Sequence, residues 1–410
     1  HAPALVHVAR EREAQGDLSG AAEALETLGR ATRSVEVSVQ ALFRAALLWR
    51  DKVKDNARAL AAMREVLARE FRHPHAFTMA LDLLREMGDT SGELELLEQR
   101  AGAGVEEADK GEMVKMYVRA AEIAEKMGDP QRAWAQWRTV INLDPERESA
   151  LRALVRLARN ASDWTAAADA MIRLAKVTTD SNERIELLFG LGEIFDQHIP
   201  DPRRADAAYR RVLAFSPRDA RTLQRLAELY ARTSEPAKEA DMLQSLAAVL
   251  TPGAERQGVL LRLARIAQDN LGDLDRAYAA LEAARRDSPL DLTILRLLTR
   301  VMEKRGDIPP MHAMLDRAAT DVRKQAEQDL GETAPLEQLS EILSLRGRRD
   351  GARIVAAVAV ALGKASEAIR ALAEHGAVRG VGANALDPSA LELLAPPAIT
   401  VSLREMLGRS

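Results

Sequence analysis

Cysteine is absent from the 410 residues, which excludes disulfide staples, thiol catalysis and cysteine-ligated metal while leaving the redox compartment open. Aromatic side chains make up only 3% of a chain that is 47% hydrophobic. The apolar content is therefore mostly Ala, Leu and Val, which suits helices packed closely on one another rather than a thick core. Neither sign of charge dominates: 58 basic residues against 62 acidic ones leave a net charge of -4, so no global field draws in nucleic acid or an anionic membrane. Electrostatic recognition has to be local. No apolar run is long enough to span a bilayer, and membrane insertion is not expected. The phosphate loop G-x-x-x-x-G-K-S/T and a serine nucleophile elbow are also missing. The chain begins His1-Ala2 with neither an initiator Met nor a signal peptide, and is expected to be a piece of something longer.

What the chain has in abundance is self-similarity. The string D-x-x-R-A occurs at Asp55 to Ala59, Asp129 to Ala133, Asp201 to Ala205 and Asp273 to Ala277, with starts 74, 72 and 72 residues apart. Each string follows a turn between paired helices. Such turns fall at Gly16-Asp17, Lys54-Asp55, Gly88-Asp89, Gly128-Asp129, Ser162-Asp163, Pro200-Asp201, Ser234-Glu235, Gly272-Asp273 and Gly306-Asp307, and their acids are separated alternately by 34 and by 38 or 40 residues. Before each turn apolar residues recur at i, i+3, i+4 and i+7, the helical period. Examples are Leu42, Ala45, Ala46 and Trp49, or Leu223, Leu226, Ala227 and Tyr230. Four residues after most turn acids stands Ala21, Ala59, Ala133, Ala167, Ala205 or Ala277, and eight after each a large side chain such as Met63, Trp137, Tyr209 or Leu281. Small residues meeting small ones let two helices approach closely.

This pattern resembles the tetratricopeptide repeat, a 34-residue unit of two helices. The resemblance covers residues 3–325 as nine repeats in alternating 34/38-residue units. It implies an all-α fold, a right-handed α-solenoid of antiparallel helix hairpins forming a TPR-like superhelix of about nine to ten repeats. A tenth hairpin and a closing helix are expected over 335–375, with turn residues Arg349-Asp350, and an irregular C-terminal cap or linker over 376–410. Pro145, Pro217 and Pro289, each preceded by Asp144, Ser216 or Ser288, read as helix starts with proline at the first helical position. The longer units are expected to carry their extra residues in the links, as at Thr178 to Ser181 and Thr251 to Gly253.

Charge adds one further expectation. Arg58, Arg132, Arg204 and Arg276 lie in the first turn of a helix, and Asp51, Glu125, Asp196 and Asp269 in the last turn of the helix before, where each is disfavoured by the dipole. Pairing across the hairpin turn would relieve both members. Glu93 with Glu95, and Glu106 with Glu107, sit at helix starts and read as partners of the dipole rather than as an acid/base pair.

No residue pattern points to chemistry, and neither catalysis nor a cofactor nor a metal is expected. His73-Pro74-His75 is better explained by proline at a helix start than by a metal site. His7, His198, His312 and His375 are isolated. The string Gly380-Val-Gly382-Ala-Asn-Ala385 resembles a dinucleotide loop but lacks the preceding strand and the following helix.

The remaining signal is a surface. In tetratricopeptide proteins the first helices line a groove, and ligand contacts come mainly from positions five and nine of each unit. Mapped by the turn acids, those positions hold Arg152 and Arg156, then Gln224 and Glu228, then Arg296 and Arg300, with Arg159, Arg221, Arg265 and Lys304 nearby. Paired guanidiniums suit carboxylates and phosphates. The alternative is a solvated face in a chain whose cations are 48 Arg to ten Lys. The family's carboxylate clamp of Asn and Lys has no counterpart here. The resemblance thus implies a bacterial, cytoplasmic scaffold that binds an extended or acidic protein segment. Two other readings stay open: the targeting arm of a larger enzyme, and an RNA-binding module like the half-tetratricopeptide proteins, for which few aromatics are available to stack on bases.

Overall fold

The computed structural model describes residues 2–102, 110–328, 334–361 and 366–374, and among them every regular element is helical. Contacts divide the chain into two compact units, 1–200 and 201–410. The first unit contains α1 (Ala2–Ala14), α2 (Leu18–Ala31), α3 (Val35–Leu47), α4 (Asn56–Arg69), α5 (Pro74–Met87), α6 (Thr90–Gly102), α7 (Lys110–Lys126), α8 (Pro130–Leu143), α9 (Glu148–Asn160), α10 (Trp164–Val177) and α11 (Ser181–Glu193). The second contains α12 (Pro202–Phe215), α13 (Ala220–Arg232), α14 (Pro236–Val249), α15 (Ala254–Asp269), α16 (Leu274–Asp287), α17 (Leu292–Arg305), α18 (Ile308–Gln328), α19 (Ala334–Leu345), α20 (Arg349–Ala361) and α21 (Glu367–Glu374). Within each unit a helix packs on the next one along the chain.

The short hairpin turns work because one acid serves both helices. Asp89 donates its backbone N–H back to Leu84 O, closing α5 in a Schellman motif, and its carboxylate then accepts from Gly92 N at 2.8 Å to open α6. At every one of the nine turns except Pro200-Asp201 the residue before the acid is left-handed. Gly16, Gly88, Gly128, Gly272 and Gly306 supply φ of 67 to 81°, whereas Lys54, Ser162 and Ser234 adopt φ of 57 to 66° without glycine's freedom.

Beyond the turn the core follows the small and large pattern. Ala21, Ala59, Ala133, Ala167, Ala205 and Ala277 are completely buried, and so, to within a few per cent, are Met63, Met171, Tyr209 and Leu281 four residues further on. Alanine carries no side chain beyond Cβ, so the first helix of each hairpin lies close against it, and the large residue fills the space beyond.

Two expectations about the connections are corrected. Where the link is described, the extra residues of the longer units are in the first helices: Thr178 to Asp180 separate α10 from α11, while four residues separate α8 from α9 in a shorter unit. The lengthened helices are α7, with 17 residues, α15, with 16, and α3 and α11, which continue into π-helical turns at Leu48–Val53 and Ile194–His198. Their counterparts α9 and α13 have 13 each. About four residues make one helical turn, so the insertion lengthens the helix while keeping both ends on the same face.

Pro145, Pro217 and Pro289 do not open helices. Asp144, Ser216 and Ser288 are the C-caps of the preceding helices, and their carbonyls accept from Arg147 N, Asp219 N and Asp291 N at 3.2 to 3.3 Å. Each proline is therefore the second residue of a four-residue turn, where its fixed φ is favourable. Helix starts fall three residues later, where Asp219 and Asp291 cap α13 and α17 with their side chains. His73-Pro74 does open a helix: the imidazole Nδ1 accepts from Ala76 N at 3.1 Å. At the other end of the chain, Gly347 (φ +81°) forms the turn between α19 and α20, and α20 begins at Arg349. His375, residues 376–410 with the Gly380 to Ala385 string, and Glu106 and Glu107 lie outside the described residues.

Candidate functional site

Three of the four D-x-x-R-A arginines find partners away from the turn, and the expected pairing over it is overturned for Arg58, Arg132 and Arg276. Arg58 bonds Glu23 at 2.9 Å while its guanidinium lies 4.6 Å over the Trp49 ring. Arg132 grips Glu98 at 2.9 Å through Nε, and Arg276 bonds Asp241 at 2.9 Å. The partners lie 35, 34 and 35 residues earlier, on the second helix of the previous hairpin. An arginine in the first turn of one second helix thus finds an acid in the middle of the one beside it. The acids expected as partners are engaged elsewhere: Asp51 by Arg50 at 2.6 Å, Glu125 by Trp137 Nε1 at 2.8 Å and Arg156 at 2.6 Å, and Asp269 by Gln268 at 2.8 Å. Arg204 forms an ion pair at 3.4 Å with Asp201, the cap of its own helix.

Three of the nine hairpins break the alanine rule, one with the apolar Met311 on α18 and two with an acid. The fourth residue after the turn acid is Glu93 on α6 and Glu239 on α14, both buried. Arg85 of α5 and Arg119 of α7 meet Glu93 at 2.9 and 3.1 Å, and Arg262 of α15 meets Glu239 at 2.8 Å. Burial raises the pKa of Glu93, but the hydrogen bonds from Arg119 and Arg85 outweigh it and hold the carboxyl below its ordinary value. Glu93 is therefore an interior ion-pair member and not simply a partner of the helix dipole. The missing alanine after Asp89 and Glu235 was the available sequence signal.

The ten residues selected from the sequence fall on α9, α13, α15 and α17, and the structure divides them by partner. On α9, Arg152 bonds Glu183 of α11 at 2.7 Å and also Glu148, and Arg156 bonds Glu125 of α7 at 2.6 Å. The acids that offset both arginines thus include one from each neighbouring first helix. Arg159, also exposed, lies near Gly190 of α11. On α13, Arg221 contacts Asp219 at 3.8 Å and Gln224 donates to Glu228 at 3.1 Å. On α17, Arg296 pairs with Glu341 of α19. Arg265, Arg300 and Lys304 are exposed and have no ion pair among the described residues.

A concavity that the spacing argument passed over lies in the first unit. It is an open cleft of about 460 Å³ between α5, α6 and α7, with Phe77, Leu81, Met113 and Met116 among its apolar walls and Arg100 and Lys115 among its cations. Arg100 donates to Phe71 O at 2.5 Å and lies 5.2 Å over the Phe77 ring. Among the described residues no group of three or more His, Asp or Glu is placed to hold a metal ion, and no helix is long and apolar enough to cross a membrane.

Successive antiparallel hairpins, alanine at the close approach and a large side chain one turn further on decide the architecture. This is a tetratricopeptide-like, all-α solenoid fold. No family model and no curated protein matches the chain. Similar solved structures include a tetratricopeptide repeat protein from Parabacteroides merdae, with 15% identity over 64% of this chain and 98% of that one and a TM-score of 0.27. The C-terminal part of a TPR repeat-containing protein from Cytophaga hutchinsonii has 17% identity over 62% and 99%, with a TM-score of 0.31. YrrB, described as a TPR protein with an unusual peptide-binding site, has 14% identity over 44% and 88%, with a TM-score of 0.30. Similarity at this level says nothing about a ligand.

Proposed function

We propose that this chain is a non-catalytic scaffold that holds an extended, acidic protein segment along the exposed faces of its first helices. The observation that carries the reading is the set Arg265, Arg300 and Lys304, exposed cations on α15 and α17 with no ion pair among the described residues. A stack of packed hairpins offers such side chains from a preformed wall, so a ligand pays little for reorganisation. On α9 the arginines are already offset by Glu183 and Glu125, so an acidic ligand there competes with internal partners.

The test compares partners captured by the chain with those captured by a variant carrying Arg152→Glu, Arg156→Glu, Arg296→Glu and Arg300→Glu, alongside anisotropy of a labelled oligoglutamate. Loss of specific partners and of oligoglutamate binding is expected. An unchanged partner set would remove these arginines from consideration, and a salt-sensitive shift with oligonucleotide alone would favour the RNA-binding alternative.

A further inference from the structure

The concavity between α5, α6 and α7 has walls of two kinds. Phe71, Phe77, Met113 and Met116 are half-buried, and Leu81 and Leu97 form a fully buried floor. Arg72, Arg85, Arg100, Lys115 and Arg119 stand round them, against one lining acid, Glu112. Arg85 is met by Glu93 and Asp82, Arg119 by Glu93 and Glu122, and Lys115 by Glu112 at 2.8 Å, so four acids stand close to the five cations. Arg100 is the distinctive member. It contacts the Phe71 carbonyl and the Phe71 and Phe77 rings, with no carboxylate partner among the described residues, so a positive charge is held over two aromatic rings.

We propose that this concavity docks a partner's extended segment in which a carboxylate side chain adjoins a bulky apolar one. This inference rests on the scaffold reading but concerns different residues, on α5, α6 and α7. The size suits one or two side chains rather than a folded element. The apolar side chain enters between Phe77, Leu81 and Met116, and methionine's flexible thioether adapts to its shape. The neighbouring carboxylate meets Arg100, whose planar fork is already oriented by its bond to Phe71 O and therefore loses little further freedom on binding. A nucleic acid is less well suited, because the aromatic rings here are half-buried and not presented as open stacking platforms.

The test uses the whole chain and a fluorescein-labelled peptide, Gly-Asp-Phe-Asp-Leu-Gly, compared with its Asp-to-Asn and its Phe-and-Leu-to-Ala forms. Saturable binding is expected, weakened by about tenfold in either altered peptide and in Arg100→Glu. Lys115→Glu changes an exposed side chain outside the core and keeps the test open if Arg100→Glu fails to fold; several-fold weaker binding is expected. Binding should be unchanged in the Arg152, Arg156, Arg296 and Arg300 variant, which separates failure of this proposal from failure of the scaffold reading. Equal affinity for all three peptides, no binding up to roughly 1 mM peptide, tighter binding of an oligonucleotide, or a self-dimer that dissociates in Lys115→Glu would overturn it.

Discussion

Glu93 of α6 and Arg119 of α7 meet at 3.1 Å at a position where six other second helices carry a buried alanine. Arg85 completes the site from α5 at 2.9 Å. The two sides of this interaction are not equivalent: the carboxylate is 3% exposed, whereas the arginines are 46% and 38% exposed.

Removing the acid should therefore cost little. Glu93→Ala leaves two arginines that water can solvate and restores the small residue of the other repeats, so a change within about 1 kcal/mol is expected. Arg85→Ala with Arg119→Ala strands a buried carboxylate and should cost about 3 to 5 kcal/mol. Urea midpoints of the two variants decide the matter; equal losses would refute the asymmetry.

The bridge between α9 and α11 makes a prediction about acid. Hydrogen bonds from Arg152 and then Thr178 lower the Glu183 carboxyl from 4.5 to about 2. Because the folded pKa lies below the unfolded one, the stabilisation is complete above pH 4.5 and is lost as the pH falls towards 2. Both side chains are partly exposed, so the contribution is about 0.2 to 1 kcal/mol. Glu183→Gln should flatten the acid limb of a helicity titration in that window, and an unaltered limb would show that the bridge contributes nothing.

Backbone handedness can be tested where side chains do not interfere. A Cβ at Gly88 would meet nothing within 4 Å, so Gly88→Ala reports the left-handed conformation alone and should cost about 1 kcal/mol. Ser234, at φ +58°, occupies the same place in another hairpin, and Ser234→Gly should stabilise by about 0.5 kcal/mol once glycine's unfolded-state entropy is subtracted. Melting temperatures moving in the same direction for both would contradict this account.

The internal acids also bear on ligand binding. If an acidic segment uses α9, Glu125→Gln with Glu183→Gln should free Arg156, leave Arg152 with Glu148 alone and tighten oligoglutamate binding several-fold at low salt, with the gain fading as salt rises. Unchanged or weaker binding would place the ligand elsewhere on the chain.

The hairpins, their order and most of their core were legible because the information is local. Period-3.6 apolar spacing, alanine four residues after a turn acid and a left-handed residue before it all act within one or two helices. The exposed arginines could be placed on their helices for the same reason. Their partners could not. Arg132 and Glu125 are seven residues apart and plausible as a pair, yet Arg132 takes Glu98, because helix stacking brings an acid 34 residues away within reach of a long side chain. The Phe77 and Arg100 concavity escaped notice likewise, since its walls come from three helices.

Repetition in the chain was thus sufficient to determine an all-α array of antiparallel hairpins, since each turn and each close helix approach is specified by residues adjacent in sequence. Tertiary packing decided the rest: which acid neutralises which arginine, that Glu93 and Glu239 are tolerated in an alanine's place, and that four extra residues lengthen a helix rather than a link. Those outcomes depend on which side chains stacked helices bring together, and on the cost of burying a charge without a counter-charge.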